Sequence, residues 1–229
     1  MWRVECGAFH IPLFERKEDM LVLCSNGLSS PELIERILPA AKGCTTAALV
    51  VTADPVYKEQ NYHVPRCRQT LEALGLEVTV FDLDIQPASE LLSFDVVEFI
   101  GGNPFYLLDA LRKQNARPIL EVLAQQKLLI GWSAAAFVFG PSLKLVNQYS
   151  PEMNYLNLTD LNGLSLSDLE VLPHYSRFLA KFEAFEEICR RYENEHQLMV
   201  LRLNDGDGIM IEGNKTVICR GFQSEGSSL

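Results

Sequence analysis

Three short segments carry residues that could work together on an acyl group. The first is KLLIGWSAAAFVFG, Lys127 to Gly140, where an apolar run reaches Gly131, turns at Ser133 and continues into small helix-forming residues. This is the pattern of a nucleophile elbow, in which a tight strand-to-helix turn lifts a serine hydroxyl clear of a sheet. Strand and helix nearly touch there, so the positions two before and two after the serine must be small. Gly131 and Ala135 satisfy that need as G-x-S-x-A. A serine that only caps a buried helix has the same local pattern. The second segment runs from Asp95 to Ile100 into Gly101-Gly102-Asn103-Pro104. Glycines at a strand end let the backbone approach a ligand, and the Gly102 N–H could donate to a developing oxyanion, with the Ala134 N–H as second donor. Asn103 is read both as the cap of the helix opened by Pro104 and as a substrate contact. The third requirement is a base for the serine. Of the four histidines, His10 lies in an irregular amino-terminal arm, His63 in a polar loop and His196 after a charged helix end. His174 follows an apolar segment, Leu169 to Pro173, at what reads as another strand end, and is the candidate base.

The elements that would position these residues alternate between short apolar runs and helical patterns. Strands are expected at Leu21–Ser25, Ala47–Thr52, Glu77–Asp82, Asp95–Ile100 and Leu128–Gly131. Most are continuously apolar, as expected where helices cover both faces of a parallel sheet. Ser30 with Pro31 opens one helix and Asn103 with Pro104 another, in each case a capping residue followed by proline at the first helical position. Phe178, Leu179, Phe182, Phe185, Ile188, Cys189 and Tyr192 fall at helical spacing and read as core. From Leu198 to Cys219 short strands with turns such as Gly213-Asn214 are expected. The fold class is therefore α/β, a doubly wound, mostly parallel sheet with helices on both faces. Its ligands belong at the carboxyl ends of the strands. The 229 residues read as one α/β domain, with residues 1–19 an irregular arm.

Composition narrows the function. The formal charge of −10 leaves no basic surface for nucleic acid or for an anionic membrane. The longest nearly apolar run, Leu128 to Leu143, is short for a membrane span and contains Ser133, Gly140 and Pro141. The six cysteines, at 6, 24, 44, 67, 189 and 219, form no C-x-x-C pair. They read as reduced, mostly buried thiols, which favours the cytoplasm. The amino terminus does not read as a signal peptide. No His/Asp/Glu cluster has metal-ligand spacing, so neither a metal nor a cofactor is expected.

Taken together, GGNPFYLL, then IGWSAAAFVFGPS, then LPHY resemble peptidase family S51, the serine peptidases of the dipeptidase E and cyanophycinase type, over roughly residues 20 to 221. The resemblance implies a fold akin to class I glutamine amidotransferases with serine at the elbow. It also implies hydrolysis of short peptides after an acidic amino-terminal residue. Carried over, Ser133 would be the nucleophile, His174 the base, and the N–H groups of Gly102 and Ala134 the oxyanion hole. Two positions depart from the family pattern. Ala135 stands where glycine is usual, and Asn147-Gln148 stands where an Asn-Asp pair would supply the triad acid. Gln148 cannot carry the charge that stabilises an imidazolium, so Gln148 itself, Glu152 or Asp160 is expected beside the second ring nitrogen of His174.

The leading expectation is a cytoplasmic serine peptidase, monomeric or homodimeric, acting on a small peptide with no nucleic-acid or membrane partner. Against it stands a catalytically weak S51-like protein that binds a small acidic peptide or metabolite. An esterase of the α/β-hydrolase group ranks below both, because Gly101-Gly102-Asn103 lies upstream and His174 follows Ser133 closely. Recognition of an acidic side chain would need Arg or Lys, for which Arg66, Arg68, Lys144 and Arg177 are available.

Overall fold

The computed structural model describes residues 20–221. The arm expected for residues 1–19, with Cys6 and His10, lies outside the described residues. Nine strands and eight α-helices follow in chain order within them. The first half comprises β1 (Met20–Cys24), α1 (Pro31–Ala41), β2 (Thr46–Val50), α2 (Val64–Ala73), β3 (Glu77–Phe81), β4 (Val96–Phe99) and α3 (Pro104–Lys113). The middle comprises α4 (Arg117–Gln126), β5 (Leu128–Trp132), α5 (Ala134–Phe139) and α6 (Lys144–Tyr149). The remainder comprises β6 (Glu170–Leu172), α7 (Tyr175–Lys181), α8 (Phe185–His196), β7 (Val200–Arg202), β8 (Gly208–Glu212) and β9 (Lys215–Cys219).

Seven strands form one sheet in the order β3-β2-β4-β5-β1-β8-β9. The first five are parallel, and the β8–β9 hairpin closes one side antiparallel through Gly213-Asn214. The central strands are almost wholly apolar because both faces are buried, with Glu98 of β4 the one charged residue among them. Leu21 and Leu23 of β1 enter one core layer with α3, α4 and α5. Met20, Val22 and Cys24 enter the other with α1 and α2. Alternation of side chains along a strand thus meets apolar surface either way.

The expected caps form. Ser30 Oγ accepts from Leu33 N, and Asn103 Oδ1 accepts from Phe105 N and Tyr106 N. Three features depart from the sequence reading. Helix α4 was not anticipated; its inward residues, Leu120 and Leu123, are too few to stand out from the surrounding polar sequence. The aromatic stripe is not one helix: α7 and α8 are separated at Ala184, whose φ of 52° is left-handed. Phe178, Phe182 and Phe185 nonetheless gather around Tyr149, with ring centroids 5.3, 5.2 and 5.0 Å away. Periodicity reported that these rings pack together, not that one helix presents them: Phe185 is buried, Phe178 and Phe182 are half-buried, and Leu179, read as core, is exposed on α7. Finally, β6, which precedes His174, is not in the main sheet but pairs in parallel with β7 in a sheet of two strands.

Candidate active site

The geometry at Ser133 follows from close packing on both sides of the turn. A Cβ on Gly131 would stand 2.6 Å from Phe139 Cε2 and 3.2 Å from the Ala135 methyl, so strand β5 can approach helix α5 only with glycine there. The Ala135 methyl is accommodated because Gly131 has none. Ser133 takes φ 52° and ψ −109°, outside the regions comfortable for a side-chain-bearing residue. Its backbone is fixed at both ends, N to Cys24 O at 3.1 Å and O from Phe137 N at 3.2 Å. Gly101 passes just as close: a Cβ there would meet Ser133 Cβ at 2.9 Å. One on Gly102 would meet the Ala53 carbonyl oxygen at 2.3 Å. The two glycines are thus required by backbone approach. Asn103 lines neither of the clefts described below. Its Nδ2 donates to Met153 O at 2.8 Å and its Oδ1 caps α3, so the side chain ties loops together.

His174 and its partner come from the small sheet. Parallel pairing of β6 with β7 sets Leu172 beside Arg202, so the loops leaving the two strands run side by side. The first carries His174, itself at φ 57°, and the second carries Asp205. His174 Nε2 lies 3.0 Å from Ser133 Oγ, and Nδ1 lies 2.7 Å from Asp205 Oδ1. The end of β1 holds both: Ser25 Oγ accepts from His174 N at 2.9 Å and donates to Asp205 Oδ1 at 3.0 Å. The Asp205 turn is pinned by buried Asp207, whose carboxylate accepts from Asn204 N, Gly221 N and Arg220, and by Asn26 Oδ1, which accepts from Gly206 N. Burial works against ionisation of Asp205. The hydrogen bond and charge of His174, the Ser25 hydroxyl and the Arg177 guanidinium outweigh it and hold the carboxyl below its ordinary range.

The expected third member is therefore corrected. Gln148 is exposed on α6, Glu152 is exposed in the turn that follows, and Asp160 pairs with Arg112 on the surface. None of them bonds to His174; the carboxylate is Asp205. Its signal is Leu203-Asn204-Asp205-Gly206, an acidic residue beside glycine just past a short strand.

Two clefts meet at Ser133 and Gly102. One, of ≈ 330 Å³, is polar, with Asn26, Asn61, His63, Arg66 and Arg177 around the His174 ring. The other, of ≈ 190 Å³, is walled by Phe137, Val146, Tyr149, Met153, Phe178 and Phe182, with Lys181 also lining it. Of the four basic residues considered above, Arg66 and Arg177 reach the site. Arg68 donates to Val78 O and approaches Glu72, and Lys144 lines neither cleft. Arg177 is paired with Asp205 at 2.5 Å, whereas Arg66 donates to Asn26 O and meets no carboxylate within ion-pair distance among the described residues. His63, read from sequence as a polar-loop residue, lines the polar cleft and stacks edge-on to Trp132 at 5.0 Å. Burial and the charges of Arg66, His174 and Arg177 lower its pKa. Among the described residues no group of His, Cys, Asp and Glu could hold a metal ion, and no helix is long and apolar enough to cross a membrane.

Such an arrangement can deprotonate a serine and carry the proton on a carboxylate-supported imidazole. Residues 21–219 match Peptidase family S51. The chain belongs to that family. An uncharacterized peptidase of Listeria monocytogenes is 30% identical over 180 residues, which span 76% of this chain and 86% of the relative. Peptidase E of Escherichia coli is 24% identical over 209 residues, 87% of this chain and 89% of the relative. Among solved structures, a protein of Listeria monocytogenes EGD-e assigned to peptidase E superposes with a TM-score of 0.72 at 26% identity, covering 88% of this chain and 98% of the other. A peptidase from an acI-B1 actinobacterium shares the fold at a TM-score of 0.62 and 18% identity, covering 90% and 93%. As an S51 peptidase the chain has the class I glutamine amidotransferase-like α/β fold expected of it.

One buried group beside the site has a measurable consequence for stability. Glu98 of β4 is 1% exposed, on the same sheet face as Val96 and Ile100. Burial pushes its carboxyl from 4.5 up to about 7, against the opposing pull of Trp132, Arg66 and Cys67. Between those two values the folded protein keeps a proton that the unfolded chain has released. The contribution of Glu98 to stability therefore falls as pH rises from 4.5 through about 7 and is flat above. The Glu98→Gln variant lacks this loss. Its urea midpoint relative to wild type is expected to be higher at pH 8 than at pH 5; an equal difference at both would mean that Glu98 ionises normally.

Proposed function

We propose that this S51 peptidase is a serine peptidase that hydrolyses short peptides after an acidic amino-terminal residue. The observation that carries the reading is the unbroken chain from Ser133 Oγ through His174 to Asp205, at 3.0 and 2.7 Å. In the first half-reaction Ser133 Oγ attacks the scissile carbonyl carbon while its proton moves to His174 Nε2. Asp205, kept ionised, supports the resulting imidazolium through Nδ1. The carbonyl oxygen becomes an oxyanion, with the N–H groups of Gly102 and Ala134 as its donors. Collapse breaks the C–N bond, and Nε2 returns the proton to the departing amine. Water then repeats the sequence on the acyl-serine, giving its proton to Nε2 and releasing the acid while Oγ regains a proton.

Arg66 supports the acidic preference. It is a guanidinium in the polar cleft that makes no ion pair among the described residues, a charge suited to a substrate carboxylate. Arg177 adds positive potential but is already engaged by Asp205. The five described cysteines are free and buried, which suits a reducing compartment such as the cytoplasm. The reading as a weak binding protein drew on Gln148 and Ala135. The Asp205 carboxylate beside His174 and the room left by Gly131 for the Ala135 methyl support the peptidase reading over it.

The test is a dipeptide panel with Asp, Asn, Ala or Lys in first position. Asp-X should be cleaved best. Arg66→Met should lower kcat/KM for Asp-X by roughly tenfold or more, the scale of one lost hydrogen bond to a charged group, and affect Asn-X less. Equal cleavage of Asp-X and Lys-X would remove the acidic specificity while leaving the serine mechanism standing.

A further inference from the structure

The apolar cleft has no part in the scheme so far, and its chemistry differs from that of the polar one. Its walls are four aromatic rings, Phe137, Tyr149, Phe178 and Phe182, with Val146 and Met153. Tyr149, Phe178 and Phe182 pack on one another with centroids between 5.2 and 5.6 Å, a wall built before any ligand arrives. Phe178 also lies edge-on to the His174 ring at 5.8 Å. The cleft shares Ser133 and Gly102 with the polar one, so with the acidic residue seated at Arg66 it is the cleft left for the residue beyond the scissile bond. Lys181 lines the same cleft, its Nζ 4.8 Å from the centroid of the Phe182 ring. It makes no ion pair with a described carboxylate.

We propose that this cleft is the leaving-residue subsite, and that the preferred substrate class is a dipeptide of an acidic residue followed by a large apolar or aromatic residue with a free carboxylate. The inference rests on the proposed cleavage after an acidic residue. The apolar side chain fills the aromatic wall and the terminal carboxylate meets Lys181. A free carboxylate is what a dipeptide offers and what the second residue of a longer peptide lacks, so Lys181 also favours dipeptides over longer chains. The cleft's ≈ 190 Å³ suits one side chain.

The experiment compares kcat/KM for Asp-Phe, Asp-Leu, Asp-Gly, Phe-Asp and Asp-Phe-amide. Asp-Phe and Asp-Leu should exceed Asp-Gly by about ten- to hundredfold, the effect of burying one large apolar side chain. Asp-Phe should exceed its amide by roughly two- to fivefold, as expected for one partly exposed ion pair, and Lys181→Met should bring that ratio to one. Equal rates for Asp-Phe and Asp-Gly would overturn the proposal, as would an unchanged acid-to-amide ratio in Lys181→Met. Faster cleavage of Phe-Asp would assign the apolar cleft to the residue before the bond and overturn it too. A readout independent of turnover separates this from failure of the acidic reading. L-phenylalanine should slow fluorophosphonate labelling of Ser133, and glycine at the same concentration should not. Protection without cleavage of any Asp-X would uphold the subsite and sink the acidic specificity. Equal protection by both amino acids, or by neither, counts against the subsite.

Discussion

Ser133→Ala is expected to abolish peptide hydrolysis and fluorophosphonate labelling while the protein stays folded. Removing the nucleophile of a serine peptidase costs about six orders of magnitude in kcat, because the hydroxyl and the imidazole act as one unit. The fold should survive because the turn is fixed by backbone bonds, Ser133 N to Cys24 O and Ser133 O from Phe137 N, that alanine keeps. The lost side-chain bond to His174 is worth about 1 kcal/mol of stability. A glycine variant adds a control. Ser133 holds φ 52° and ψ −109°, a conformation that costs a side-chain-bearing residue on the order of 1–3 kcal/mol. Ser133→Gly should therefore be as inactive as Ser133→Ala but thermally more stable than it. Wild-type turnover in either variant, on a peptide that the protein cleaves, would mean that another group is the nucleophile.

The second large effect belongs to Asp205. Asp205→Asn is expected to lower kcat by about four orders of magnitude, the scale seen when a triad carboxylate becomes an amide and the imidazole loses both its tautomer and its counter-charge. Binding should change less, so the loss should appear in kcat more than in KM. The paired control is Gln148→Asp. Because Gln148 is exposed and makes no bond to His174, adding a carboxylate there should leave turnover unchanged. If Gln148→Asp raised turnover and Asp205→Asn did not lower it, the imidazole would be supported from α6 in the working enzyme, against the 2.7 Å contact with Asp205.

The contrast between Gln148 and Asp205 marks how far the sequence carried. Local pattern was enough for the residues whose neighbours in the chain determine their geometry. Ser133 sits at a strand-to-helix turn because an apolar run ends there and small residues flank it. Gly101 and Gly102 end β4 because only glycine lets the backbone pass Ser133 and Ala53 at the observed distances. The parallel sheet and the caps at Ser30 and Asn103 were legible for the same reason: a burial pattern or a capping side chain acts within a few residues. The S51 motifs added the order of Ser133 and His174.

What the sequence alone could not decide depends on pairing between distant segments. His174 and Asp205 meet because β6 and β7 pair in parallel outside the main sheet, and nothing in strands of three residues announces their partner. Ser25, at the end of β1, contacts both residues although it lies 149 and 180 positions from them. Likewise, the division of the site into a cationic cleft around Arg66 and an aromatic one beside Lys181 arises only when α2, α6 and α7 converge on the turn after β5. The sequence by itself determined the α/β architecture and the serine turn, because these follow from burial and backbone sterics along a contiguous stretch. Only the tertiary structure chose the carboxylate and shaped the pockets, because hydrogen bonds and ring packing between remote segments exist only once the sheets have set their register.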